Sequence, residues 1–198
     1  MRLVTGVQTC ALPIYCAGST DKAIKAYEYK GVQDCVAASL LQGGPKGCQY
    51  GCMGFGTCVK NCPFDAMTMG DNGLPIIDEK KCTGCGKCKS VCPKKVIDLV
   101  TPGIHVAINC NSNDKGAVAR KLCTIACIGC GICVKNCSHG AIKVENNLAV
   151  VDTKICMSEC NETTCTAKCP TGAIKAYIKE APAASIAAKS ATNKTLSE

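Results

Sequence analysis

Cys82-Thr-Gly-Cys85-Gly-Lys-Cys88-Lys-Ser-Val-Cys92-Pro93 is the stretch on which the reading turns. Its spacing, C-x2-C-x2-C-x3-C-P, is the bacterial ferredoxin run that ligates 4Fe–4S clusters. Three cysteines two residues apart wrap the chain into a tight loop around one cluster. Gly84 and Gly86 let that loop come close and aim amides at the cluster sulfurs. The fourth cysteine lies past a short helical turn and ligates the other cluster of a pair. Pro93 lacks an N–H and fixes φ, which sends the chain out of the loop in one direction.

Three further groups surround this one. Cys127, Cys130, Cys133 and Cys137 repeat the spacing, with Gly129 and Gly131 in the loop and Ser138 in place of Pro. Cys48, Cys52, Cys58 and Cys62 are looser, at x3, x5, x3, and Cys156, Cys160, Cys165 and Cys169 run x3, x4, x3. The segments after the groups read CPFDAMTM, CPKKVIDL, CSHGAIKV and CPTGAIKA. Leu74–Cys82 (LPIIDEKKC) matches Leu148–Cys156 (LAVVDTKIC), and CVKNC occurs at Cys58 and at Cys133. The offset is 75 residues from Cys62 to Cys137 and 74 from Cys82 to Cys156. This is an internal duplication of a two-motif module. Ligands are accordingly assigned crosswise: Cys48, Cys52 and Cys58 with Cys92; Cys82, Cys85 and Cys88 with Cys62; Cys127, Cys130 and Cys133 with Cys169; Cys156, Cys160 and Cys165 with Cys137. The expected fold is α+β, two tandem bacterial-type 2[4Fe–4S] modules of short helices and small strands holding four clusters.

Composition supports this. Of 198 residues 21 are Cys, whereas aromatics make up 4%, with two Phe and no Trp. So few aromatics cannot fill an ordinary core, and the cysteines, as disulfides, zinc ligands or iron–sulfur ligands, are the candidates to cross-link it. Disulfides need an oxidising compartment, no signal peptide is visible, and an odd cysteine count leaves a thiol over. Zinc sites typically use two CxxC knuckles across a spacer, whereas here four cysteines crowd into single short runs. The formal charge of +8 would point to nucleic acid or a membrane surface. Four oxidised clusters with four thiolates each carry about −8 in total and bring the loaded chain near neutrality. Lys80, Lys81, Lys87 and Lys89 around the second motif either balance that charge or form a docking face for an acidic electron donor. Seven aromatics give no stacking platform for nucleic acid. No acid/base dyad, phosphate loop, nucleophile or GxGxxG is present, so electron transfer rather than bond chemistry is expected.

The remaining chain divides as follows. Val4–Ile14 (VTGVQTCALPI) resembles, codon for codon, the translation of a sequencing-library adapter. Residues 1–14 are thus expected to be non-native, Cys10 is set aside as a ligand, and the gene is expected to be cut there. Residues 15–44 form a lead-in, helical over Lys22–Leu41 with Asp21 as cap and a break near Gly31. Module one spans 45–100, a connector 101–122, module two 123–179, and 180–198 a disordered tail rich in Ala, Ser, Thr and Lys. Ile104–Cys110 alternates as a strand, and Ala117–Leu122 reads as a short basic helix. Cys16, Cys35, Cys110 and Cys123 fall outside the motifs and read as buried or incidental thiols, Cys123 with some scope to substitute as a ligand. His105 reads as a strand-face residue and His139 as exposed.

AYEYKGVQDC, GGPKGCQYGCMGFGTCVKNCPFDAM, NGLPIIDEKKCTGCGKC and CIGCGICVKNCSHGAIKVENN, in this order, resemble the B subunit of the Rnf-type ion-translocating ferredoxin:NAD oxidoreductases in its polyferredoxin-like clostridial form. CQYGCMGFGTC is the most distinctive piece, since a generic ferredoxin uses x2 spacing there. The resemblance implies an iron–sulfur subunit at the cytoplasmic face of the cell membrane. It would accept electrons from reduced ferredoxin and pass them to other subunits of a membrane complex that reduces NAD and pumps Na⁺ or H⁺. It also implies a missing N-terminal membrane anchor with a further cysteine motif. Ser138 and the CMSECNETTC spacing depart from the family pattern. The competing readings are a free-standing polyferredoxin or an iron–sulfur subunit of a soluble dehydrogenase or hydrogenase, and a zinc-rich binding module.

Overall fold

The structure is a computed structural model that describes residues 13–100, 103–160 and 163–177. The expected tail at 180–198, and the adapter-like stretch apart from Pro13 and Ile14, lie outside the described residues.

Two similar units follow one another, and both are α+β. In the first, helix α1 (Cys35–Ser39) leads to α2 (Thr57–Lys60), the hairpin β1 (Met67–Met69) and β2 (Pro75–Ile77), and α3 (Lys87–Val91). In the second, β3 (Val106–Ile108) and α4 (Gly116–Leu122) precede α5 (Ile132–Lys135) and the hairpin β4 (Ile142–Glu145) and β5 (Leu148–Val151). Helices α6 (Thr153–Glu159) and α7 (Thr164–Ala167) and strand β6 (Ile174–Ala176) complete it. The duplicated sequences occupy the same places. LPIIDEKKC supplies β2 and LAVVDTKIC supplies β5, and Asp78 and Asp152 donate their amides to the carbonyls of Ala66 and Ala141. Asn146 and Asn147 close the second hairpin with φ of 48° and 65°, the two left-handed residues of a type I′ turn.

The expected connector is not a linker. Strand β3 pairs antiparallel with β6, Ala107 opposite Lys175, so the stretch after Gly103 is built into the second unit. The first unit has the counterpart: Ile14 bridges Ile97, and the Tyr15 amide donates to the Val96 carbonyl. Val96, Ile97 and Val106 are among the most deeply buried side chains.

The helix expected over Lys22–Leu41 is confined to Cys35–Ser39. Residues before it are drawn into long-range pairing: Ala23 bridges Cys123, Lys25 bridges Lys46, and the amides of Ile24 and Ala26 donate to the carbonyls of Leu122 and Pro45. Those amides cannot also close helical turns. Helix α1 starts where Asp34 supplies a cap, its carboxylate accepting from the amides of Val36 at 2.8 Å and Ala37 at 3.0 Å.

Each unit has its own core, and sulfur fills much of it. Cys52, Cys58 and Cys88 are buried with Met67, Leu74 and Ile97 in one. Cys127, Cys133, Cys156 and Cys165 are buried with Val106 and Ile142 in the other. Gly131 precedes α5 at φ 71°, as Gly86 precedes α3 at φ 76°. A Cβ at Gly131 meets nothing within 4 Å, so an added side chain costs only the left-handed strain. Gly131→Ala is expected to lose about 1 kcal/mol in anaerobic guanidinium unfolding, with Gly131→Asn losing less. Equal stability of the alanine variant would contradict that account.

Candidate iron–sulfur centres

Three clefts are each lined by four cysteines. The first holds Cys62, Cys82, Cys85 and Cys88, with Gly84 and Gly86 in the same loop. Cys62 comes from the first motif and the other three from the second. The third holds Cys127, Cys130, Cys133 and Cys169, with Gly131 beside them. Here Gly129, at φ 63°, packs so tightly that a Cβ would fall 2.7 Å from the Asn147 carbonyl oxygen. The tight loop thus forms as the x2 spacing dictates, and the α3 or α5 turn carries the last cysteine away toward the partner cleft.

A fourth set gathers around Cys156. Burial pushes the Cys156 thiol up to about 11, with added repulsion from Cys160, Cys165 and Cys137. The same neighbours, Cys137 and Cys160, act on Cys165. The x4 spacing of this group follows α6, capped by Asp152, whose side chain accepts from the amides of Lys154 and Ile155. His105, expected on a strand face, lies just before β3 and donates from Nδ1 to the Cys160 carbonyl at 2.6 Å. His139 is exposed.

The second cleft departs from expectation. It is lined by Cys35, Cys52, Cys58 and Cys92, and Cys48 is not among its lining residues. Burial pushes Cys58 up to about 12, and repulsion from Cys35 and Cys92 adds to it. In this motif Phe55 stands three residues before Cys58, where Cys130 and Cys85 precede Cys133 and Cys88. The position is filled instead by Cys35, held at the start of α1 by its amide donating to Thr57 Oγ1 at 2.7 Å, while that hydroxyl donates to Asp34 at 2.7 Å. Sequence reasoning set Cys35 aside, and the one signal that could have recovered it is the missing cysteine at Phe55.

The donor set fits a cubane. Among the described residues no three Cys, His, Asp or Glu side chains converge on a point that one metal ion would occupy. Zinc draws its four ligands onto one atom, with Zn–S of about 2.3 Å, whereas a cubane offers four separate irons to four wider-set thiolates. Backbone amides point at the sulfurs, as at Cys137 from Ala141 (3.3 Å) and at Cys127 from Ala149 (3.4 Å). At Cys169 burial pushes the thiol up, but the amides of Ile174, Thr171 and Ala173 and the Thr171 hydroxyl outweigh it, and the net shift is downward. Such donors favour thiolate, the form that binds iron.

Fold and donors together define a 4Fe–4S protein of the ferredoxin type, and the family patterns agree: the 4Fe-4S dicluster domain matches residues 47–97 and the 4Fe-4S binding domain residues 127–141. Within that class the chain belongs to the B subunit family of the Rnf-type ion-translocating ferredoxin:NAD oxidoreductases. It is 62% identical over 165 residues to the B subunit of the proton-translocating ferredoxin:NAD(+) oxidoreductase complex of Clostridium ljungdahlii, covering 83% of this chain and 58% of that protein. It is 46% identical to the Na(+)-translocating counterpart of Acetobacterium woodii, over 84% of this chain and 49% of that one. It is 40% identical to the B subunit of the ion-translocating oxidoreductase complex of Methanosarcina acetivorans, over 82% and 60%. The chain thus spans about half to three fifths of the length of these relatives. Among the described residues no helix is long and apolar enough to cross a membrane.

Proposed function

We propose that this chain is the electron-transfer part of a membrane ion-translocating oxidoreductase. It relays single electrons from reduced ferredoxin through 4Fe–4S clusters toward NAD reduction, at the cytoplasmic face and in contact with other subunits. The four-thiol clefts carry the reading, and the similarity to the matching component of three such complexes supports it. Bound clusters supply one-electron carriers; the residues hold them apart, exclude water and set the local charge. The ligands proposed are Cys62 with Cys82, Cys85 and Cys88; Cys169 with Cys127, Cys130 and Cys133; and Cys137 with Cys156, Cys160 and Cys165. Cys52, Cys58 and Cys92 serve the remaining cleft. The chain makes and breaks no bond of its own.

Electrons enter where a cluster meets solvent. Cys85 is exposed, and so are Lys80, Lys81, Lys87 and Lys89 around it. Lys89 is paired with Asp98, which leaves the other three to face an acidic donor. Mixed anaerobically with a reduced two-cluster ferredoxin, the loaded chain is expected to bleach in the visible, with a second-order rate that falls as salt rises. Lys80→Glu with Lys81→Glu and Lys87→Glu is expected to slow this about tenfold at low salt, within the range that electrostatic steering covers, at unchanged iron content. Absence of bleaching at every ionic strength would reject the ferredoxin donor.

A further inference from the structure

Four cysteines remain once the clefts are filled: Cys16, Cys48, Cys110 and Cys123. They are not scattered. Cys16 and Cys48 place their Sγ atoms each 3.7 Å from the position a Cβ on Gly51 would take. Cys16 and Cys123 place theirs 3.7 and 3.2 Å from the corresponding position at Gly18. Cys110 packs into the small cluster formed by Cys123, Ala119 and Ala126, and the Ala17 amide donates to the Asn109 carbonyl at 2.9 Å, which sets Cys16 beside Cys110. We propose that Cys16, Cys48, Cys110 and Cys123 hold a fifth 4Fe–4S cluster between the two units, and that Cys35 takes the place of Cys48 in the second cleft. This rests on the iron–sulfur reading above and adds a site to it.

The duplication explains the arrangement. Cys48-x3-Cys52 in the first unit corresponds to Cys123-x3-Cys127 in the second, at the same 75-residue offset as Cys62 and Cys137. Cys16 and Cys110 correspond through the fold. Each lies two residues past an isoleucine, Ile14 or Ile108, that pairs with Ile97 or Ile174 behind its own CP segment. Each unit therefore contributes one cysteine from the segment that pairs behind its CP turn and one from the entry to its first motif. The amides repeat as well. The Cys52 amide donates to Cys16 Sγ at 3.3 Å, and the equivalent Cys127 amide donates to the Cys110 sulfur. Cys48 receives the amides of Tyr50 and Gly51, and Cys123 that of Ile125. All four sulfurs thus accept backbone N–H groups, as cluster thiolates do.

A second observation is the charge nearby. Lys46 is buried, its ammonium donates to the Gly18 carbonyl, and among the described residues it has no carboxylate partner. A buried ammonium needs an anion. A cluster with four thiolates carries about −2 and supplies one. Five sets of four also account for all twenty described cysteines. Because Cys52 and Cys127, the neighbours of this site, serve the second and third clefts, the fifth cluster stands between the two units as a stepping point for one electron at a time.

Iron, acid-labile sulfide and native mass of the anaerobically purified whole chain decide this. The expected content is about 20 Fe and about 20 sulfide per chain, against about 16 of each without the fifth cluster. Cys110→Ser and Cys123→Ser are each expected to lose about 4 Fe, and the two together no more, whereas Cys110→Ser with Cys35→Ser loses about 8. A wild-type content of about 16 Fe overturns the proposal. So does one zinc per chain with no fifth set of iron and sulfide. If the variants fail to fold, the wild-type count still decides. A chain without iron or sulfide would instead reject the iron–sulfur reading as a whole.

Discussion

Removing iron anaerobically with a chelator is expected to unfold this chain, with far-UV circular dichroism falling to that of a disordered peptide and no cooperative thermal transition remaining. The helices described are four to seven residues long and every sheet has two strands. Helices this short and isolated hairpins are marginal in water. Two Phe and no Trp leave little apolar surface to bury in compensation. The cysteines occupy the core positions instead, with Cys52, Cys58, Cys127, Cys133 and Cys165 all buried. Without metal the unfolded chain holds these thiols near the free value of about 8.5, mostly protonated at neutral pH. Binding iron releases those protons, so loading strengthens as pH rises, and the binding free energy is folding free energy. A metal-free chain that kept its secondary structure and melted cooperatively would show that side-chain packing alone suffices.

The second large effect separates crosswise from linear ligation. Cys62→Ser and Cys85→Ser are each expected to lose one cluster, about 4 Fe, and the double variant also about 4. They lie in different sequence motifs but line one cleft. If each motif closed on its own cluster, the double variant would lose about 8. The second unit offers an independent repeat. Cys137→Ser with Cys160→Ser is expected to lose about 4 Fe, and Cys137→Ser with Cys130→Ser about 8, since Cys130 lines the cleft of Cys169. Iron and sulfide analysis reads all of these, and the count needs no assignment of spectra.

Helix and strand identity near the motifs was legible from local signals. The alternation of IHVAINC became β3, the basic AVARKL became most of α4, and the LPIID and LAVVD repeats became β2 and β5. The helical pattern of Lys22–Leu41 misled because its amides at Ile24 and Ala26 are claimed by carbonyls far along the chain, a competition that periodicity does not reveal. Likewise residues 101–122 read as a connector, since nothing local announces that β3 pairs with a strand roughly 70 residues later.

The residues alone gave the x2 cysteine spacing of a tight loop, the duplication of the module, and the expectation that the fourth cysteine of a motif joins its neighbour's set. Each is a statement about a dozen consecutive residues, where bond geometry and glycine freedom leave few options. Tertiary structure decided which distant cysteine lines each cleft. Phe55 stands where the x2 motifs carry a cysteine, Cys35 from a separate segment lines that cleft, and Cys48 lies beside Gly51 with Cys16 instead. Those choices depend on how Ile14 and Ile108 pair behind the two CP segments, and pairing across such separations is fixed by the packed whole, not by spacing along the chain.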